Sequence, residues 1–159
     1  MNLIGYSDSD WAGSIDDMKS TSGYAFLFGS SICSWLSKKQ SVVAQSTVEA
    51  EYVSASKATS QAIWLRTIFE DLGEKQKRGT VLFCDNKSSI ITAKNPVNHE
   101  RSKHISIKYH FIREAQEKGE IQLRYCQTGE QLADIFTKAL PREKFCYIRE
   151  RIGVIKQMH

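Results

Sequence analysis

The chain has 159 residues, of which 41% are hydrophobic and 25% charged, with Gly 9 and Pro 2; a chain of this make-up buries enough surface to fold without staples, which excludes disorder, collagen-like repeats and disulfide miniproteins. The net charge of +4 favours a polyanionic partner without forming a polybasic tail. No apolar run approaches the roughly 20 residues that span a bilayer, and Met1-Asn2-Leu3-Ile4 leads straight into patterned sequence, so a soluble, intracellular protein with no membrane partner is expected.

In chain order, short apolar segments predict strands over Leu3 to Ser7, Gly23 to Gly29 and Ile32 to Ser37, the last two joined as a hairpin through Ser30-Ser31. A helical period then runs from Thr47 to Leu72, and Gly73 stands where a terminating glycine would. Val81 to Cys84 predicts a fourth strand and Asn86 to Lys94 a short helix broken at Asn95-Pro96. A second long helix is expected over Ser102 to Lys118, a fifth strand over Ile121 to Cys126, and a further helix over Glu130 to Ala139. A basic helical tail follows from Arg142 to Arg151, so the division is residues 1–141 as the main domain and 142–159 as a C-terminal tail.

This order predicts an α/β fold with a mixed five-stranded sheet flanked by helices: three antiparallel strands, then parallel strands four and five. The carboxyl ends of strands one, four and five then face one crevice, the usual ligand position in such sheets. Cys33, Cys84, Cys126 and Cys146 show no paired spacing and read as reduced core thiols. Trp11, Trp35 and Trp64 read as core or hairpin packing, and His99, His104 and His110 as structural or solvated.

The chemistry lies in the acids. Asp8 and Asp10 close the first strand and Asp85 the fourth, and carboxylates gathered on adjacent strands repel unless they hold a cation. On the long helix, Ala55, Ala58, Ala62, Leu65 and Phe69 fall within roughly 40° of one line. Glu51 shares that line and Glu49 lies opposite, so Glu51 is aimed at the sheet edge. Asp134 follows the fifth strand. A set of oxygen ligands without thiolate or imidazole favours Mg²⁺ or Mn²⁺ over zinc.

Together with Gly5-Tyr6-Ser7-Asp8-Ser9-Asp10-Trp11-Ala12-Gly13, the segments Ser20-Thr21-Ser22-Gly23-Tyr24, Ser34-Trp35-Leu36-Ser37-Lys38-Lys39-Gln40, Glu49-Ala50-Glu51-Tyr52, Cys84-Asp85-Asn86, Lys103-His104-Ile105 and Ala133-Asp134-Ile135-Phe136-Thr137-Lys138 carry a family likeness. From Leu3 to about Pro141 the chain resembles the ribonuclease H domain of copia-type LTR retrotransposon polyproteins. The resemblance implies the RNase H-like fold, two Mg²⁺ ions that Mn²⁺ can replace, and hydrolysis of the RNA strand of RNA/DNA hybrids to 5′-phosphate ends during reverse transcription. It implies Asp8, Glu51, Asp85 and Asp134 as catalytic and metal-binding residues, with Asp10 as an outer or alternative ligand. It also implies a reverse transcriptase domain in the same polyprotein, and a location in the cytoplasm or in virus-like particles.

The chain departs from the family pattern twice: Gln127-Thr128-Gly129-Glu130 lacks the loop histidine of cellular and retroviral relatives, and the short Asn95 to Arg101 stretch leaves no room for a basic protrusion. Substrate contacts are therefore expected from Ser14, Ser20, Thr21, Ser22, Asn86, Lys87 and Ser88 near the site, and from Lys38, Lys39, Arg101 and Lys103 on the nucleic-acid backbone. An integrase-like nuclease would need a late Glu, Glu130 or Glu143, in place of Glu51. A non-catalytic hybrid-binding or protein-docking module is the alternative of a different class.

Overall fold

The computed structural model describes residues 1–88, 90 and 103–155, with the side chains of 103 and 104 outside that description. Five strands form one sheet: β1 (Leu3–Asp10), β2 (Thr21–Phe28), β3 (Ser31–Lys39), β4 (Thr80–Cys84) and β5 (Ile121–Tyr125), in the spatial order β3-β2-β1-β4-β5. The β1-β2 and β2-β3 pairs are antiparallel, and β1-β4 and β4-β5 are parallel. The expected mixed sheet is thus observed.

It is flanked by the helices α1 (Thr47–Asp71), α2 (Lys103–Glu117) and α3 (Arg142–Arg151). The first is fixed at its start by Ser46, whose hydroxyl accepts from Glu49 N at 3.1 Å, while the Glu49 carboxylate accepts from Gln45 N at 2.6 Å. It stops where Gly73 takes φ +83° and the Glu74 N–H returns to the Phe69 carbonyl, a left-handed turn that a side chain would strain. The alanines Ala55, Ala58 and Ala62 are buried and let α1 lie close to the sheet. Phe26, Leu82, Leu123 and Ile112 fill the space between sheet, α1 and α2, and each such burial stabilises the fold by roughly 1.5–3 kcal/mol.

The opposite sheet face carries a second core of Leu27, Leu132, Ile148 and Ile152, with Tyr6, Ile135 and Phe136 packed on it. Through Ile148 and Ile152 the segment expected as a basic tail joins this core, and Ile32 N donates to the Ile152 carbonyl at 2.9 Å.

Some expectations need correction. Glu130 to Ala139 is not an α-helix but two short 3-10 turns, Thr128–Glu130 and Leu132–Phe136, because Gln131 between them is extended at ψ 98°. Of the four cysteines only Cys84 and Cys126 are buried; Cys33 is exposed and Cys146 intermediate. Trp11, Trp35 and Trp64 are exposed rather than core, Trp11 being tied by its indole N–H to the Ala44 carbonyl at 3.1 Å. Lys87, Ser88 and Ile90 are helical, and the rest of the expected helix to Lys94, with the Asn95-Pro96 break, lies outside the described residues.

Candidate metal centre and active site

The sheet forks at its centre. β1 pairs with β4 only over Ile4–Tyr6 against Val81–Phe83, then continues to Asp10 against β2 alone. The rings of Tyr6 and Phe83 stack with centroids 5.1 Å apart at the last shared rung. Asp8 and Asp85 each stand two residues further along, at matching heights on diverging strands, so the parallel register itself brings the two acids together.

The third acid is delivered by the turn Leu132–Phe136. Gln131, fully buried, donates through Nε2 to the Ser7 carbonyl at 2.9 Å and accepts from Ala133 N at 3.2 Å, clamping the turn to β1. Across from Asp8, Gly23 leaves the room the turn needs, since a Cβ there would lie 2.6 Å from Thr137 Cγ2. The Thr137 hydroxyl donates a short hydrogen bond to the Asp8 carboxylate. As a result, one carboxylate oxygen from each of Asp8, Asp85 and Asp134 lies within 4.8 Å of the others.

Glu51 approaches from the α1 side of the sheet. Its Oε1 accepts from Ser9 N at 3.1 Å and from Ser9 Oγ at 2.7 Å, while Oε2 is buried without a hydrogen-bond partner. Gln40 steadies this end of α1, its Nε2 lying 2.9 Å from Ser22 Oγ and 3.1 Å from the Ala50 carbonyl. Ser54, one turn on, reaches the Asp8 carbonyl at 2.6 Å. Glu51 therefore stands outside the three-carboxylate group but shares its cleft, an open space of about 700 Å³ lined also by Asp10, Asn86, Lys87, Tyr125 and Lys138.

Burial dominates the electrostatics. It lifts Asp8 to about 7, helped by the Asp134 and Asp85 charges and opposed by Lys138 and the Thr137 hydrogen bond. Burial and then the Asp8 charge lift Glu51 to about 8, against the Ser9 hydrogen bonds. Asp85 is raised by burial and by Asp134. Lys138 Nζ lies 3.0 Å from Asp134 Oδ1 and 3.4 Å from Asp8 Oδ2. Lys144 on α3 pairs closely with Asp134 Oδ2 and donates to the Thr128 carbonyl at 3.3 Å. Burial alone would lower Lys138, yet the two carboxylates outweigh it and hold the ammonium charged.

The residues present fit a hard divalent cation. All donors are carboxylate oxygens, the acids repel one another, and the buried Glu51 Oε2 has no other use among the described residues.

The remaining candidates fall into distinct places. Asn86 and Lys87 line the cleft, with the Lys87 ammonium 4.7 Å from the centre of the exposed Tyr125 ring. Asp10 also lines it, and Ser88 is exposed beyond it. Ser20 and Ser22 work inside the fold instead of facing substrate: both are buried, Ser20 Oγ accepting from Ala12 N and Ser22 Oγ from Gln40. Thr21 is half-buried at the start of β2, and Ser14 closes its own loop through Met18 N and Lys19 O. Lys38 and Lys39 are exposed at the end of β3, Lys39 pairing with Asp17 at 2.7 Å. Lys103 opens α2, His110 is exposed on it, and Arg101 and His99 lie outside the described residues, as do the side chains of Lys103 and His104. Sequence reasoning gave no role to Lys138, Lys144, Thr137, Gln131 or Gln40. Only Lys138 carried a signal, its position four residues after Asp134.

Over 152 residues, 96% of its length, the chain is 43% identical to the retrovirus-related Pol polyprotein from transposon TNT 1-94 of Nicotiana tabacum, and covers 11% of that polyprotein. Its homologues are copia-type retrotransposon Pol polyproteins, and its fold is RNase H-like. The N-terminal RNase H domain of rv2228c from Mycobacterium tuberculosis superposes with a TM-score of 0.63 at 12% identity, covering 94% of this chain and 96% of that one. LC11-RNase H1, solved in complex with an RNA/DNA hybrid, superposes with a TM-score of 0.61 at 11% identity, covering 86% of this chain and 94% of that one. No protein-family profile matches the chain. No helix among the described residues is long and apolar enough to cross a membrane.

Proposed function

We propose that this RNase H-like unit is a metal-dependent endoribonuclease that cleaves the RNA strand of RNA/DNA hybrids during reverse transcription. The observation that carries the reading is the meeting of Asp8, Asp85 and Asp134 at the fork of the sheet, with Glu51 entering the same cleft. These four side chains would hold Mg²⁺ or Mn²⁺, and a pair of such ions lowers the pKa of water and neutralises charge at a scissile phosphate. The chain's own groups do the rest. Ser9 holds Glu51 through Oε1 and leaves Oε2 without a hydrogen-bond partner, Thr137 orients Asp8, and Gln131 sets the height of Asp134. Asn86 and Lys87 stand at the cleft wall, where an amide and an ammonium can meet phosphate oxygens or a 2′-hydroxyl.

On this reading the products carry 5′-phosphate and 3′-hydroxyl ends, and a reverse transcriptase within the same Pol polyprotein delivers the hybrid. The 11% share of the tobacco relative leaves ample length for such a domain. The test is incubation of the chain with a hybrid labelled on its RNA strand, beside duplex DNA and duplex RNA, with Mg²⁺, Mn²⁺ or chelator. Cleavage confined to hybrid RNA and abolished by chelator is expected. Retention of uncut hybrid in every metal condition would point instead to a binding module.

A further inference from the structure

Both carboxylate oxygens of Asp134 are ion-paired with ammonium groups of its own chain, although only Oδ2 accepts a hydrogen bond, from Lys144. Lys138 Nζ stands 3.0 Å from Oδ1 and bridges to Asp8 Oδ2 at 3.4 Å, and Lys144 Nζ closes on Oδ2. The two lysines come from different elements. Lys138 follows the 3-10 turn, four residues after Asp134, whereas Lys144 lies in the first turn of α3 and is tethered to the Thr128 carbonyl. Asp134 is fully buried and both lysine side chains are about a third exposed or less, so these pairs are poorly screened by water. Asp85, by contrast, has no ammonium nitrogen within 4.0 Å among the described residues.

We infer that Lys138 and Lys144 are built-in counter-cations of the carboxylate cluster, competing with a divalent ion for Asp8 and Asp134 and thereby setting how tightly the site takes metal. The inference rests on the metal-binding reading above. An ammonium held against a ligand oxygen cancels part of the charge an incoming ion would feel, and Lys144, hydrogen-bonded to Oδ2, also occupies a lone pair. Loading the site therefore requires Lys138 to leave Asp8 and Asp134. Since Lys144 is carried by α3, whose Ile148 is buried in the second core together with Ile152 just past the helix, the seating of that helix and the affinity for metal are coupled.

The test is calorimetric titration of Mn²⁺ into the metal-free full chain, in wild type, Lys138→Met, Lys144→Met, Lys138→Arg, Asp85→Asn and, as a cleft-wall control, Lys87→Met. Lys138→Met and Lys144→Met should each bind Mn²⁺ at least tenfold more tightly, Lys138→Arg should stay within about threefold of wild type, and Lys87→Met should change by less than threefold. Metal-free Lys138→Met should melt at lower temperature than wild type and gain more from added Mn²⁺; where it does not stay folded, Lys144→Met and Lys138→Arg decide. Equal or weaker Mn²⁺ affinity in the Met variants, or a gain no larger than that of Lys87→Met, overturns the inference. Wild-type binding that is lost in Asp85→Asn preserves the metal reading even then, whereas no Mn²⁺ binding by any variant removes both.

Discussion

Asp85 sits on a strand end whose partner strand has turned away, and burial and Asp134 raise its pKa. On the proposed function, removing its charge deletes a cation ligand and relieves repulsion, so Asp85→Asn should lose about 10²–10³-fold in hybrid cleavage, on the scale of removing a principal electrostatic group, while its melting temperature equals or exceeds that of wild type. Thermal melts beside single-turnover cleavage check both halves. Glu51→Gln should be inactive and Glu49→Gln active, for about 160° separates the two around α1. Glu49 is engaged by Gln45 N at the helix start, so its loss should appear in stability, by roughly 0.5–1 kcal/mol, and not in turnover. Asp8 and Glu51, raised by burial to about 7 and about 8, keep protons in the folded state that the unfolded chain has already released above its ordinary carboxylate range. The folded state thus binds more protons between about pH 4.5 and 8, and its stability falls as pH rises through that window. Metal-free melts should drop by about 5 °C or more across it, with Mg²⁺ or Mn²⁺ removing most of the slope; a flat metal-free profile would contradict these environments.

At the scale of elements, periodicity carried far. The helix face holding Glu51 with Ala55, Ala58, Ala62 and Leu65 was legible because a 25-residue helix repeats its pattern often enough to define a line, and the structure buries that face. The strand-end acids were legible because Asp8 and Asp85 close apolar runs. The segment around Asp134 was not: a Gln in extended conformation splits a pattern that reads as one helix, and its reason is tertiary, a side-chain clamp to Ser7 124 residues away. Lys144 was equally invisible, because its pairing with Asp134 depends on how α3 docks and leaves no local spacing to read. That docking rests on Ile148, which has no exposed surface. Ile148→Ala should cost about 2–4 kcal/mol in urea unfolding, more than a surface change could, and an effect below about 1 kcal/mol would show that α3 is an appendage.

Across the whole molecule, the cleft is open, the net charge is only +4, and among the described side chains the lysines expected to grip substrate are few: Lys38 and Lys39 at the end of β3, the latter already paired with Asp17, and Lys87 at the cleft wall. Each phosphate neutralised contributes nearly one unit of log-log salt slope, so three or four contacts predict weak hybrid binding with a shallow salt dependence. Titration of the Asp85→Asn chain with hybrid across a salt series checks this, and nanomolar affinity with a steep slope would reveal a basic surface that the described residues do not account for. On the proposed function, the carboxylate cluster at the fork of the sheet cuts RNA in hybrids with the help of a divalent ion. The most direct test is single-turnover cleavage of an RNA-labelled hybrid by wild type and Asp85→Asn side by side, in Mn²⁺ and in chelator. Cleavage by wild type in Mn²⁺ alone is expected, and cleavage by a folded Asp85→Asn chain at the wild-type rate, or by wild type in chelator, would contradict the proposed function.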